Sequence, residues 1–117
     1  MFKKIFLTTI LFFSSLPASF ALITPLNNCS SLAHAKTVLL VHASWCKHCQ
    51  NFMPIYINAS NEKKYKGWKF YHVEDDNFQD VCGKKIESVP ATFSHNMQKV
   101  VSGGISKASL EEFLDAN

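Results

Sequence analysis

Cys46 and Cys49 stand two residues apart in the run Trp45-Cys46-Lys47-His48-Cys49. On one helical turn that spacing lets two sulfurs meet, so a disulfide can open and close without unfolding the chain. The reactive form of cysteine is the thiolate. Helix N-terminal amides and the helix dipole favour an anion, so a thiol at a helix start is drawn toward thiolate. Cys46, nearer the helix end and solvent, is the expected nucleophile, and Cys49, one turn inside, the thiol that resolves the mixed disulfide. A cation at Lys47 or His48 stabilises the Cys46 thiolate, and with it the reduced form. That makes the disulfide more oxidising. His48 also reads as a solvated helix-start side chain with no such role.

A C-x-x-C pair is also half of a zinc site. The other half would be a second such pair or two nearby histidines, but Cys29 and Cys82 are isolated. Gln50 after Cys49 excludes the C-x-x-C-H haem attachment. The pattern points to no metal and no cofactor.

The pair needs a strand-to-helix junction to hold it. Thr37-Val38-Leu39-Leu40-Val41 is a continuous β-branched and apolar run, which predicts a strand buried on both faces. It ends at Ala43-Ser44-Trp45. A helix then starts near Cys46 and carries Phe52, Met53, Ile55, Tyr56 and Ile57, and Lys66-Gly67 closes that region. Residues 68–73 predict a second strand and residues 77–85 a short helix. Residues 91–94 and 99–102 predict a hairpin across His95-Asn96-Met97-Gln98. Ser106 caps a last helix ending near Ala116, with Leu110, Phe113 and Leu114 as its apolar face. Residues 27–35 read as a first helix, capped by Asn27 or Asn28. The order α-β-α-β-α-β-β-α implies an α/β domain with a mixed sheet covered on both faces.

A chain of 117 residues allows one such domain. Its first 21 residues read as a secretory signal. Lys3 and Lys4 are followed by an apolar stretch from Ile5 to Leu16, and Ser19-Phe20-Ala21 supplies a cleavage site after Ala21. An uncleaved anchor is the other reading, but the apolar run is short for a span. The domain is then residues 22–117, periplasmic or secreted and free of the membrane once cleaved. Without Lys3 and Lys4, ten lysines face nine acids, a net charge of about +1. There is no arginine, so neither nucleic acid nor bidentate phosphate recognition is expected. Export places the cysteines where disulfides persist. Four cysteines allow three connectivities. If Cys46 and Cys49 claim each other, Cys29–Cys82 remains, or else two separate buried thiols.

Trp45-Cys46-x-x-Cys49 followed by Pro54 resembles the active-site helix of thioredoxins, with its mid-helix proline. Val89-Pro90-Ala91-Thr92-Phe93 resembles the family's cis-proline loop, at the family's interval from Pro54. Gly103-Gly104 and the segment Ser106 to Asn117 resemble its C-terminal helix. The resemblance covers nearly all of the chain after the leader. It implies a thioredoxin fold with a four- or five-stranded mixed sheet. It also implies a cis bond before Pro90, and a substrate strand received by Trp45, Val89 and Pro90. In that fold the helices bearing Cys29 and Cys82 share the face opposite the active-site helix.

There are departures. Thioredoxins carry a buried acid six residues before the first active-site cysteine, where it helps deprotonate the second thiol; here that position is Leu40. His42, two residues on along the same strand face, reads first as a packed core histidine and second as the acid's substitute. Lys47-His48 replaces the family's Gly-Pro. Histidine before the second cysteine is shared with protein disulfide isomerase and the periplasmic disulfide oxidase, though this chain has no room for the latter's helical insertion. The implied function is an exported thiol–disulfide oxidoreductase acting on protein thiols and disulfides. It would be a monomer, recycled by a redox partner, with a potential in the upper half of the family's range of about −270 to −120 mV. Two alternatives stand beside it: an exported reductase of the cytochrome c maturation type, and a binding module without catalysis.

Overall fold

Two strand periodicities build the core. In the central strand β2 (Thr37–His42), every residue from Thr37 to Val41 is buried. Successive side chains point to opposite faces. Val38 and Leu40 therefore enter one cluster with Phe52, Tyr56, Phe70, Leu110 and Leu114, while Leu39 and Val41 enter another with Leu26, Leu32, Val73 and Phe78. The first cluster lies under α1 (Lys47–Ser60) and α3 (Lys107–Asp115), the second under α2 (Asp75–Cys82). A computed structural model gives this arrangement for residues 23–116. The expected secretory signal, residues 1–21, lies outside the described residues.

The sheet has five strands, in the order β1 (Ile23–Pro25), β3 (Lys69–Glu74), β2, β4 (Ala91–Ser94) and β5 (Lys99–Ser102). β1 and β2 both run parallel to β3, with Ile23 and Val38 each beside Phe70. β4 lies antiparallel to β2, and β5 closes the hairpin, whose turn holds His95, Asn96 and Met97 at φ of 55°, 59° and 65°. This is the mixed sheet with helices on both faces that the sequence predicts, in its five-stranded form.

Tyr56 pins α1 to the sheet: its buried hydroxyl lies 2.6 Å from the Tyr71 carbonyl oxygen and 3.2 Å from that of Val38. Burial drives its pKa well up, so the hydroxyl remains a donor. Ser106 caps α3, accepting from Ser109 N at 3.1 Å.

Three sequence expectations need correction. The helix expected over residues 27–35 is a single 3-10 turn, Cys29–Leu32. Local polar groups win there. Asn28 Oδ1 accepts from both Ser30 N and Ser30 Oγ at 2.9 Å, and Thr37 Oγ1 takes the His34 carbonyl at 2.6 Å. So short a segment also gains little from helix cooperativity. Residues 23–25 form an unforeseen strand. The short helix starts at Asp75 rather than residue 77, with Asp75 and Asp76 in its first turn, where acids complement the dipole. It stops at Gly83, which takes the left-handed conformation at φ 68°. No helix among the described residues is long and apolar enough to cross a membrane.

Candidate active site

β2 delivers the chain to the start of α1, and Ala43 accepts a hydrogen bond from Cys46 N at 3.1 Å across the intervening turn. Cys46 is the N-cap of α1, with extended backbone, and Cys49 lies within the first turn. Cys46 Sγ accepts from Cys49 N at 3.1 Å. The sulfur therefore occupies the place where an anion is favoured by free helix amides. The two cysteines form a disulfide with Cα atoms 5.2 Å apart. The expected contrast in solvent access is small, since Cys46 is 5% exposed and Cys49 2%. What distinguishes them is position: Cys46 caps the helix and Cys49 is inside it.

Cys46 Sγ also lies 3.8 Å from the Val89 carbonyl oxygen. The Val89–Pro90 peptide bond is cis. Val89 packs against the cluster of Ala43, Cys46 and Cys49, and Pro90 is buried. Gly103 N donates to Pro90 O at 2.8 Å, tying this loop to the segment before α3. Gly103 adopts φ 90°, a conformation that favours glycine. Trp45 projects beside the disulfide at 74% exposure, the highest of any large apolar side chain described. Lys47 and His48 are both exposed on the first turn of α1. The structure thus brings Trp45, Cys46, Cys49, Val89 and Pro90 together, with Lys47 and His48 at their edge.

Cys29 and Cys82 lie on the α2 face, away from this site, joined as a disulfide with Cα atoms 5.1 Å apart. Leu40 fills the position of the family's buried acid with a fully buried aliphatic side chain. It stands opposite Thr92 in the β2–β4 register. Thr92 Oγ1 is buried without a hydrogen-bond partner among the described residues. His42 ends β2 as the strand's one residue that is not fully buried. It is half-buried, and its Nε2 lies 3.1 Å from His72 Nδ1, with the rings stacked at 5.3 Å. Burial lowers the pKa of His42, opposed by Glu74 and Asp75. Burial and His42 together lower that of His72. Sequence reasoning missed His72 and Glu74. Only the parallel register, Leu40 beside His72 and His42 beside Glu74, reveals them. Among the described residues, no three His, Cys, Asp or Glu are grouped to hold a metal.

The chain matches the thioredoxin family over residues 22–116. Oxidised thioredoxin from Plasmodium falciparum is similar in structure at a TM-score of 0.64 and 20% identity, covering 80% of this chain and 95% of that one. Oxidised mitochondrial thioredoxin 3 from Saccharomyces cerevisiae gives 0.63 at 19% identity, covering 82% and 96%. Thioredoxin from Malassezia sympodialis gives 0.62 at 18%, covering 79% and 87%. At such identities the likeness speaks to the fold alone. No curated protein sequence matches significantly. The family match extends over the whole described domain, and with it the chain belongs to the thioredoxin family of thiol–disulfide oxidoreductases.

Proposed function

We propose that this protein is an exported oxidoreductase that exchanges disulfides with protein substrates through Cys46 and Cys49, with Cys46 the nucleophile. The observation that carries the reading is Cys46 Sγ at the N-cap of α1, accepting from Cys49 N while facing the Val89 carbonyl. A substrate strand laid along Val89 and Pro90 would bring its sulfur to Cys46, with the exposed Trp45 indole as an apolar contact. What supports export is the leader-like sequence of residues 1–21 and the second cysteine pair, Cys29–Cys82, since structural disulfides persist in oxidising compartments.

Lys47 and His48 support a potential above that of cytosolic thioredoxins. Two potential cations on the first turn stabilise the Cys46 thiolate and hence the reduced form. The protein acts as a monomer and is returned to its working state by a separate redox partner. A second reading, an exported reductase, is favoured by the compact domain, which has no helical insertion among its described residues. Equilibration with glutathione buffers decides between them. A potential well above about −270 mV supports the oxidising reading, and one at or below it supports the reductase. Failure to reduce insulin or to oxidise a reduced protein substrate would exclude both.

A further inference from the structure

The resolving step raises a problem that the exchange pair does not answer by itself. Cys49 is 2% exposed, and burial disfavours the thiolate that must attack Cys46. The helix N-terminus serves Cys46, because the Cys49 amide points at Cys46 Sγ. Leu40 has no atom that can take a proton.

His42 shares a cleft with Cys49 instead, and His72 holds His42 from behind. Phe70 on β3 packs into the cluster beneath α1, so His72 and Glu74, two and four residues on, point to that same face. His42 on β2 does likewise. A cleft of about 390 Å³ is lined by both His42 and Cys49, with Gln50 and Glu74 at its walls. That is ample for a water molecule with polar partners. The charged and titratable groups facing His42 are His72 and Glu74 from β3, Asp75 from the start of α2 and Cys49 from α1.

We propose that His42, held by His72, accepts the proton of the Cys49 thiol during resolution and returns it when the reaction runs backwards. The proposal rests on Cys46 and Cys49 being the exchange pair. In the reducing direction the Cys49 S–H passes its proton to neutral His42 through a water in the cleft. The Cys49 thiolate attacks Cys46 Sγ. The Cys46–Cys49 bond forms while the bond from Cys46 to the substrate sulfur breaks, and that sulfur leaves with the electron pair. In the oxidising direction a substrate thiolate attacks Cys46, Cys49 leaves with the electron pair, and the His42 imidazolium protonates it.

His72 is a positioning residue. If His42 Nε2–H donates to His72 Nδ1, then His42 Nδ1 is left as the acceptor. Once His42 is charged, that bond becomes charge-assisted and stronger. Burial lowers both imidazoles from their ordinary value, so the pair is neutral and ready to accept at neutral pH. Two protons on rings this close repel, so the pair takes one at a time.

The test is stopped-flow reaction of the reduced protein with one equivalent of 5,5′-dithiobis(2-nitrobenzoate). The first thionitrobenzoate reports attack by Cys46 and the second reports resolution by Cys49. In the unmodified protein the second phase should accelerate with pH through an inflection below about 6.5, the ordinary histidine value. His42→Asn should remove that inflection and slow the second phase at pH 7 on the order of 100-fold, the lower end of general-base catalysis. The first phase should keep its rate. His72→Phe should slow the second phase about tenfold, from loss of one hydrogen bond to a charged group. A second phase whose sole inflection in the unmodified protein lies in the ordinary thiol range near 8.5 would overturn the proposal, whatever the variants do. So would an unaltered pH profile in His42→Asn. Absence of the first phase would instead refute the exchange pair itself, and the proposal with it.

Discussion

Removing the Cys29–Cys82 disulfide should cost this domain a large part of its stability. The bond links residues 53 apart in sequence, and the segment between them contains β2, α1 and β3. Closing a loop of that length removes about 4 kcal/mol of chain entropy from the unfolded state. A domain of this size has on the order of 5–14 kcal/mol in all. At about 4–8 °C per kcal/mol for a domain under 100 residues, the expected fall in melting temperature is about 15–30 °C. The perturbation is Cys29→Ala with Cys82→Ala, melted without reductant so that Cys46–Cys49 stays oxidised. Both cysteines pack, partly buried, against the core on the α2 face, so any lost packing adds to the loop effect. The assay is circular dichroism or calorimetry, with a non-reduced peptide digest of the parent protein to display the linked peptide. A melting temperature within about 5 °C of the parent, or both cysteines alkylated before reduction, would refute the reasoning.

Three further outcomes follow from the site. His48→Pro should raise the Cys46 pKa and make the potential more negative, by about 30 mV for each tenfold loss of thiolate stabilisation. An unchanged potential in glutathione buffers would reduce His48 to a surface side chain. Gly103→Ala should cost about 1–2 kcal/mol, because φ is 90° there. Gly104→Ala should stay within about 0.5 kcal/mol of the parent, since an added Cβ meets only His48 O at 3.6 Å and Phe52 Cβ at 3.8 Å. Urea midpoints separate the two, and equal losses would contradict the backbone argument. The lowered pKa values of His42 and His72 mean that the unfolded chain binds more protons just below pH 6.5. Their contribution to stability is complete above about pH 6.5 and falls as the pH drops below it. His42→Asn with His72→Phe should flatten the change in urea midpoint between pH 7.5 and pH 5.5, and an equal slope in both proteins would count against it.

Most of the fold was legible because its signals are local. The β-branched run of β2, the capping Ser106 and the Gly103-Gly104 break each announce an element without reference to the rest. The exchange pair was legible for the same reason, being two residues apart at a strand-to-helix junction. What escaped depended on register. β1 has only three residues and ends in proline, so its pattern means little until β3 lies beside it. The turn at Cys29–Leu32 was misread because helix propensity and side-chain capping compete over a few residues, and Asn28 with Thr37 settles the contest. His72 carries no motif. It gains meaning only when parallel pairing sets Leu40 beside it and brings His42 within hydrogen-bonding distance.

The central claim is that Cys46 attacks and Cys49 resolves, and trapping tests it most directly. Cys49→Ser and Cys46→Ser are each incubated with disulfide-bearing protein substrates, quenched with acid and analysed by non-reducing mass spectrometry. The account predicts mixed disulfides through Cys46 accumulating in Cys49→Ser and few in Cys46→Ser. Equal trapping in both variants, or more through Cys49, would contradict it.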